Sequence, residues 1–296
     1  MTRGSPGLGP AAPVSVLMPT YNAERTVAVA VSSTLKALTA VDRLYVRDDA
    51  STDGTVAIIK QHADPRLVLI EGEENLGVAG GLNRLLEQVR TPLVARMDAD
   101  DVCLPWRFHW CKKQMSGVDV LFTSSAAMTD DRALTTRNIP FPISTELFAM
   151  HLLIANPVTH STMLGWTDII RQTGAYRVTV AEDYDLWLRL ILSGRRLRRL
   201  ALPTLRYRYH PGQLTAGATW LERLLQDRPL AESYDAVAHK TLGSQAFWLR
   251  DLMCAWSGDG PPSDSLRHFG QLVRAASVAR GPNKLLLERR LRKFGL

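Results

Sequence analysis

Apolar and polar positions along the first hundred residues repeat a simple plan. Residues 14–18 form a short apolar run closed by Pro19, the pattern of a buried strand. From Asn22 to Leu38, Ala, Val and Leu recur with helical periodicity, and Asn22 stands where it could cap the start. A second strand is predicted over 44–46, ending at Asp48-Asp49, and the turn residues 50–54 lead into a helix through Ile58 and Ile59. A third strand over 67–70, a helix over 77–89 and a fourth strand over 93–97 continue the alternation. Such alternation predicts an α/β fold, Rossmann-like, with a mainly parallel sheet and helices on both faces. Further on the pattern changes. Residues 156–164 read as a strand, 183–193 as a helix with Leu186, Trp187, Leu190 and Ile191 on its apolar side, and 205–209 as an alternating strand. From Thr219 the chain reads as a C-terminal helical appendage.

In parallel sheets of this kind ligands bind outside the carboxyl ends of the strands. Polar residues collect there four times: Pro19-Thr20-Tyr21-Asn22, Asp48-Asp49, Glu73-Glu74-Asn75 and Asp98-Ala99-Asp100-Asp101. In the last of these an apolar strand ends in three carboxylates, and strand alternation sends Asp98 and Asp100 to the same side. Like charges held together ask for a cation, and hard divalent ions are held by one or two carboxylates plus substrate phosphates. The segment therefore reads as a metal–diphosphate clamp. By itself it could equally be a polar loop capping a helix near Pro105, with Asp101 as the capping residue; four polar strand ends on one edge favour a nucleotide site. Arg96, beside the clamp, is placed to order a neighbouring carboxylate or touch phosphate.

Composition excludes several classes. The chain has 296 residues, 46% of them hydrophobic and 22% charged, ordinary for a globular protein with a sizeable core. No apolar run is long enough to span a bilayer, and residues 1–13, Gly/Pro-rich, lack a signal-peptide core, so cytoplasmic residence is the expectation. Cys103, Cys111 and Cys254 show neither zinc spacing nor a disulfide framework and are expected to be reduced and structural. The net charge of +7 comes largely from two clusters, Arg195-Arg196-Arg198-Arg199 and Arg289-Arg290-Arg292-Lys293. Neither is interleaved with aromatics, so nucleic acid is not expected and both read as solvated faces. Cations and leucines mix through 285–294, which permits peripheral contact with an anionic membrane at its inner face. Dimerisation through the C-terminal helices is equally open.

Taken in order, Pro19-Thr20-Tyr21-Asn22, Asp48-Asp49-Ala50-Ser51-Thr52-Asp53-Gly54-Thr55, Asn75-Leu76-Gly77, Asp98-Ala99-Asp100-Asp101, Glu182-Asp183-Tyr184-Asp185-Leu186 and Tyr207-Arg208-Tyr209-His210-Pro211-Gly212 resemble the signatures of family 2 glycosyltransferases. The resemblance runs from about Val14 to Thr215. It implies a GT-A fold over 14–218, with a helical region over 219–296 outside it, a nucleotide-sugar donor, Mn²⁺ or Mg²⁺, and inverting transfer to an acceptor hydroxyl or similar nucleophile. Carried over residue by residue, Asp49 would accept from the nucleobase, usually uracil, with Thr20, Tyr21 and Glu24 lining the base and ribose pocket. Asp98 would face the ribose and Asp100 the metal, with Pro19, Asn75, Arg96 and Ala99 completing the donor site. His210 would assist the metal or diphosphate, and Asp183 would be the catalytic base.

Elementary chemistry agrees with that assignment. A departing diphosphate gathers negative charge that a metal neutralises, so a single carboxylate suffices to take the acceptor proton. A glycosidase would need two carboxylates flanking the bond. Asp183 also stands at a helix start, where a carboxylate caps backbone N–H groups, and the two roles are compatible. Two rivals remain at this point. A sugar-1-phosphate nucleotidyltransferase would normally show a glycine-rich loop after the first strand, where this chain has Pro19-Thr20-Tyr21-Asn22. A non-catalytic nucleotide-sugar-binding scaffold would have no need of both Asp100 and Asp183. Neither the donor sugar nor the acceptor is legible.

Overall fold

The computed structural model describes residues 12–129, 133–135, 141–209, 219–243, 251–252, 264–293 and 295–296. Its strands are β1 (Val14–Thr20), β2 (Arg43–Asp48), β3 (Leu67–Glu71), β4 (Leu93–Arg96), β5 (Val102–Cys103), β6 (Val120–Thr129), β7 (Ala133–Thr135), β8 (Leu164–Trp166) and β9 (Leu197–Arg208). Its helices are α1 (Val27–Ala37), α2 (Thr55–Lys60), α3 (Gly77–Gln88), α4 (Arg107–Lys113), α5 (Phe148–Ile154), α6 (Thr167–Gln172), α7 (Glu182–Leu192), α8 (Thr219–Gln226), α9 (Arg228–Leu242), α10 (Asp264–Ala276) and α11 (Pro282–Lys293). They fall into two compact units: Met1–Pro140 with Val158–Val178 and Arg199–His210, and Phe141–Pro157 with Thr179–Arg198 and Pro211–Leu296. Among the described residues no helix is long and apolar enough to cross a membrane.

The first unit carries the sheet, ordered β3-β2-β1-β4-β8-β6-β9-β5, with β7 paired to β6. β1 pairs in parallel with both β2 and β4, and β2 with β3. β8 then runs antiparallel to β4 and β6 antiparallel to β8. The predicted parallel α/β half is thus present and an antiparallel extension continues it. Strand order reverses beside β1, where an open α/β sheet leaves a crevice at the strand ends. β1 and β4 are mostly apolar and buried along almost their whole length, the pattern of strands covered on both faces. Val14, Val16, Met18, Val31, Leu44, Val46, Ala95 and Phe108 share one buried cluster. Asp42 pins β1 at its start, accepting from Val14 N at 2.9 Å and Lys112 Nζ at 2.7 Å. Cys103 and Cys111 are buried, and burial pushes the Cys111 thiol up to about 12; Cys254 lies outside the described residues.

Three local expectations are corrected. The first helix begins at Val27, not Asn22. Asn22 has φ 47°, and its side-chain oxygen accepts from Thr52 N at 2.9 Å, so it ties two loops together instead of capping a helix. Residues 156–164 are not one strand: His160–Thr162 is a turn of 3₁₀ helix, and β8 starts only at Leu164. Ser161 and Thr162 are buried by side-chain bonding, to Asp101 and to the carbonyl of Thr159, which sequence periodicity does not register. The cluster at 195–199 is not all solvated. Arg199 is buried in β9, donates to Ser124 Oγ at 3.3 Å, and its guanidinium is lowered to about 10 by that burial.

In the second unit α7 packs on α9, and α5 on both. Trp187 and Tyr234 are fully buried there, as the register of Trp187 with Leu190 implied.

Candidate active site

The β4 loop is built around its backbone carbonyls. Arg107, fully buried in α4, donates through Nη2 to the Arg96 carbonyl at 2.7 Å, and Arg96 Nη1 donates to the Met97 carbonyl. Arg96 Nη2 also pairs with Asp98 at 2.5 Å. Asp101 is buried, accepting from Ser161 Oγ at 2.7 Å and from Arg208 N at 2.9 Å. It therefore does not cap α4, as the sequence suggested, but fastens the loop to the end of β9. Arg208 Nε adds a bond to the Asp100 carbonyl at 2.9 Å. Held this way, carboxylate oxygens of Asp98, Asp100 and Asp101 lie within 4.8 Å of one another. Burial, then the charges of Asp98 and Asp100, push the Asp101 carboxyl well above its usual range. Burial and the same carboxylates also raise the nearby Tyr207 phenol. Such an all-oxygen set suits a hard divalent cation, and the carboxylates of Asp98 and Asp100 are the partly exposed members, whereas that of Asp101 is buried. His210 lies outside the described residues, two positions past the tethered Arg208.

At the end of β2 the carboxylate of Asp49 organises the turn into α3. Its Oδ1 accepts from Leu76 N at 3.0 Å and its Oδ2 from Gly77 N at 2.8 Å, and it forms an ion pair with Arg47. Gly77 has φ 68°, and Asn75 Oδ1 accepts from the same amide at 3.0 Å, so Asn75 serves the turn. Gly72 passes so close over this pair that a Cβ there would lie 2.5 Å from Arg47 Nη2 and 2.7 Å from the Asp48 carbonyl. A cavity of about 670 Å³ is lined by Arg47, Glu71, Glu73, Glu74, Arg84 and Glu87 among others; it shares Arg47, Gly72 and Leu76 with this turn but none of the β4-loop carboxylates.

The loop after β1 meets the loop after β2 side by side. Asn22 N donates to Ser51 Oγ at 2.9 Å, Ala23 N to Thr55 Oγ1 at 2.8 Å, and Glu24 Oε2 accepts from Gly54 N at 3.0 Å. Asp53 bonds Thr55 and Glu24 N within that seam. Tyr21 stands half exposed at its edge, and Ala99 is buried in the β4 loop. Thr20 and Asp48 are register partners at the ends of β1 and β2. Both are buried, yet among the described residues Thr20 Oγ1 and Asp48 Oδ1 have no hydrogen-bond partner. Buried polar atoms in that state at a crevice are ones that an ordered water or a ligand can satisfy.

Asp183 belongs to the second unit, in the first turn of α7. Its Oδ2 accepts from Asn156 Nδ2 at 2.9 Å and its Oδ1 from Tyr184 N at 2.7 Å. Asp185, fully buried, bonds Arg189 Nε at 2.7 Å and Ser233 Oγ at 2.9 Å and so locks α7 to α9. The Tyr184 hydroxyl donates to the Leu152 carbonyl at 2.5 Å. Sequence reading missed Arg47, Asn156 and Ser161 as site residues. Only Arg47 left a signal, a guanidinium alternating with Asp49 at the end of an otherwise apolar strand.

The sequence model described as Glycosyl transferase family 2 matches residues 15–151. EpsE of Bacillus subtilis (strain 168), named as a glycosyltransferase, is 32% identical over 194 residues, covering 61% of this chain and 67% of its own length. The chain belongs to glycosyl transferase family 2. The enzyme is therefore a glycosyltransferase and neither of the two rivals. It is also 25% identical over 230 residues to WfaP of Escherichia coli, a UDP-Glc:alpha-D-GlcNAc-diphosphoundecaprenol beta-1,3-glucosyltransferase, covering 76% of this chain and 88% of WfaP. Among solved structures, S. aureus TarS 1-349 in complex with UDP-GlcNAc matches with TM-score 0.60 at 18% identity, over 95% of this chain and 88% of that one. The mannosyltransferase PcManGT of Pyrobaculum calidifontis, in complex with GDP-Man and Mn2+, matches with TM-score 0.57 at 17% identity, over 99% and 89%. These likenesses show the fold, GT-A with a C-terminal helical part.

Proposed function

We propose that this family 2 glycosyltransferase is a metal-dependent, inverting enzyme that moves a sugar from a UDP-linked donor to an acceptor hydroxyl. The observation that carries the reading is the carboxylate cluster of Asp98, Asp100 and Asp101 at the end of β4. Asp100, with Asp98 beside it, would hold the cation, and His210 would serve as a second ligand. A bound Mn²⁺ or Mg²⁺ supplies neutralisation of the charge that gathers on the departing diphosphate.

The protein's own groups do the rest. Asp98, oriented by Arg96, faces the ribose. Asp49 takes the nucleobase N–H: two donors approach its Oδ1 and one its Oδ2, leaving one acceptor position on a carboxylate that offers about four. Thr20 and Tyr21 line the same pocket; Glu24, Asn75, Pro19 and Ala99 shape its walls. Asp183 takes the proton of the acceptor hydroxyl as that oxygen bonds the anomeric carbon and the diphosphate leaves with the electron pair. One displacement of this kind inverts the anomeric centre. UDP is favoured because TarS and WfaP carry UDP donors in their descriptions, although PcManGT carries GDP-Man. The description of WfaP further supports a lipid-diphosphate-linked saccharide as acceptor, which fits work at the inner membrane face.

The test is a panel of UDP-, GDP- and dTDP-sugars with Mn²⁺ or a chelator, read by nucleotide release and by the anomeric configuration of the product. Release from a UDP-sugar that stops on chelation and falls at least about 100-fold in Asp100→Asn supports the reading. Full activity in chelator, or retained configuration, overturns it.

A further inference from the structure

Two aliphatic side chains of the second unit stand far out from the protein: Leu285 is 71% exposed, and Val278, in the turn before α11, 68%. Cations bracket them. Arg280, Lys284, Arg289 and Arg292 are all exposed. At 100° per residue, Lys284, Arg292, Leu285 and Arg289 share an arc of about 140° on α11. The other side of the helix is committed to the unit. Leu287 and Leu291 are buried, and Arg290 Nη2 donates to the carbonyls of His151 at 3.3 Å and Ala155 at 2.9 Å. Glu288, the carboxylate on this stretch, is bound by Arg274 at 3.0 Å, which holds it below its usual range. Glu288 lies within that arc but is engaged by Arg274, so the outer face carries a net positive charge with Leu285 among its cations.

We propose that this face of α11 docks the enzyme on an anionic lipid bilayer. Cations reach lipid phosphates while Leu285 and Val278 enter the headgroup–acyl boundary, which is how a basic helix with an aliphatic ridge lies on a membrane without crossing it. A single-stranded nucleic acid would call for stacking aromatics, and none stands on the described residues of α11. A second copy meeting the same face would set four cations against four cations. The proposal stands on the surface alone and does not depend on the donor chemistry proposed above.

The experiment is co-sedimentation of the full chain with vesicles of phosphatidylcholine, with and without phosphatidylglycerol. Partition onto the anionic vesicles, weakening as salt rises and absent from neutral ones, is expected. Arg289→Glu with Arg292→Glu lowers that partition about tenfold or more. Leu285→Ser lowers it as well, by an amount that raised salt does not mask. Nucleotide release in solution stays unchanged in all of these variants, so a failed donor assay and a failed vesicle assay are separate results. Equal partition onto both vesicle types overturns the proposal, as do unchanged variants. Retention by an RNA homopolymer in place of vesicles, or a salt-insensitive dimer that the variants dissociate, overturns it in favour of those partners. If a variant melts early, the wild-type comparison between lipids and salt concentrations still decides.

Discussion

Arg96 Nη2 lies 2.5 Å from Asp98 Oδ1, two residues farther along the chain, and the same spacing pairs Arg47 with Asp49. In both pairs the arginine stands at or next to the end of its strand and the carboxylate lies just beyond it. Each arginine is buried while its carboxylate belongs to the proposed donor site. Arg96→Met strands Asp98 beside Asp100 without its cation. A loss of about 1–2 kcal/mol in urea unfolding is expected, since the stranded Asp98 is partly exposed, with weaker binding of UDP and Mn²⁺ by titration calorimetry. Arg96→Lys keeps the charge but not the fork that also reaches the Met97 carbonyl, so it recovers only part of both. Wild-type stability and affinity in Arg96→Met would remove the positioning role.

Gly72→Ala forces a methyl group against Arg47 Nη2 and the Asp48 carbonyl. The side chain can shift but the carbonyl belongs to β2, so a cost of about 1–3 kcal/mol is expected. Because Arg47 supports Asp49, UDP affinity falls together with stability. Thermal melts with and without UDP check this, since a smaller UDP-induced rise in Tm separates lost binding from lost stability.

The two aspartates of α7 are expected to part company. Asp183→Asn lowers kcat by about 10²–10⁴ with an unchanged melting curve. Asp185→Asn weakens the bonds to Arg189 and Ser233 and lowers Tm, because it touches the packing of α7 on α9. Asn156→Ala removes a hydrogen bond that favours the ionised form of Asp183. The acid limb of the kcat–pH profile then moves to higher pH, which a purely structural asparagine would not cause.

Asp42 makes stability depend on pH in a definite direction. Burial raises its pKa, but bonds from Lys112, Thr39 and Val14 outweigh that and leave it below the usual 3.8. A carboxyl lowered on folding contributes stability above its unfolded pKa and loses it as pH falls through the folded one. Asp42→Asn therefore narrows the stability difference between neutral pH and pH below about 4. It also costs about 3–5 kcal/mol at neutral pH, since Lys112 is left buried and unpaired. Urea midpoints across that range measure both.

Much of the parallel half was legible because each of its elements carries a local signal. The apolar run of β1, the periodicity of α1 and α3, and the carboxylates at the ends of β2 and β4 all lie within a few residues of the feature they announce. The errors arose where a distant partner decides. Asn22 looks like a helix cap until Thr52, thirty residues on, takes its oxygen. Asp101 looks like one until Ser161 and Arg208 are beside it. Arg199 belongs to a run of cations, and only the pairing of β9 in the sheet buries it.

By itself the chain determined the alternation of strands and helices, the edge where polar groups gather, and the order of motifs that mark the family. Those properties are written in periodicity and in side-chain type, which act over one strand or one turn. Tertiary structure decided which carboxylates are bound into the fold and which stay partly exposed. Asp101 and Asp185 are fully desolvated and bonded into the fold, whereas Asp98, Asp100 and Asp183 keep partial exposure. All five are the same residue type in similar local company. What separates them is burial and long-range partners, which exist only once the segments have been brought together.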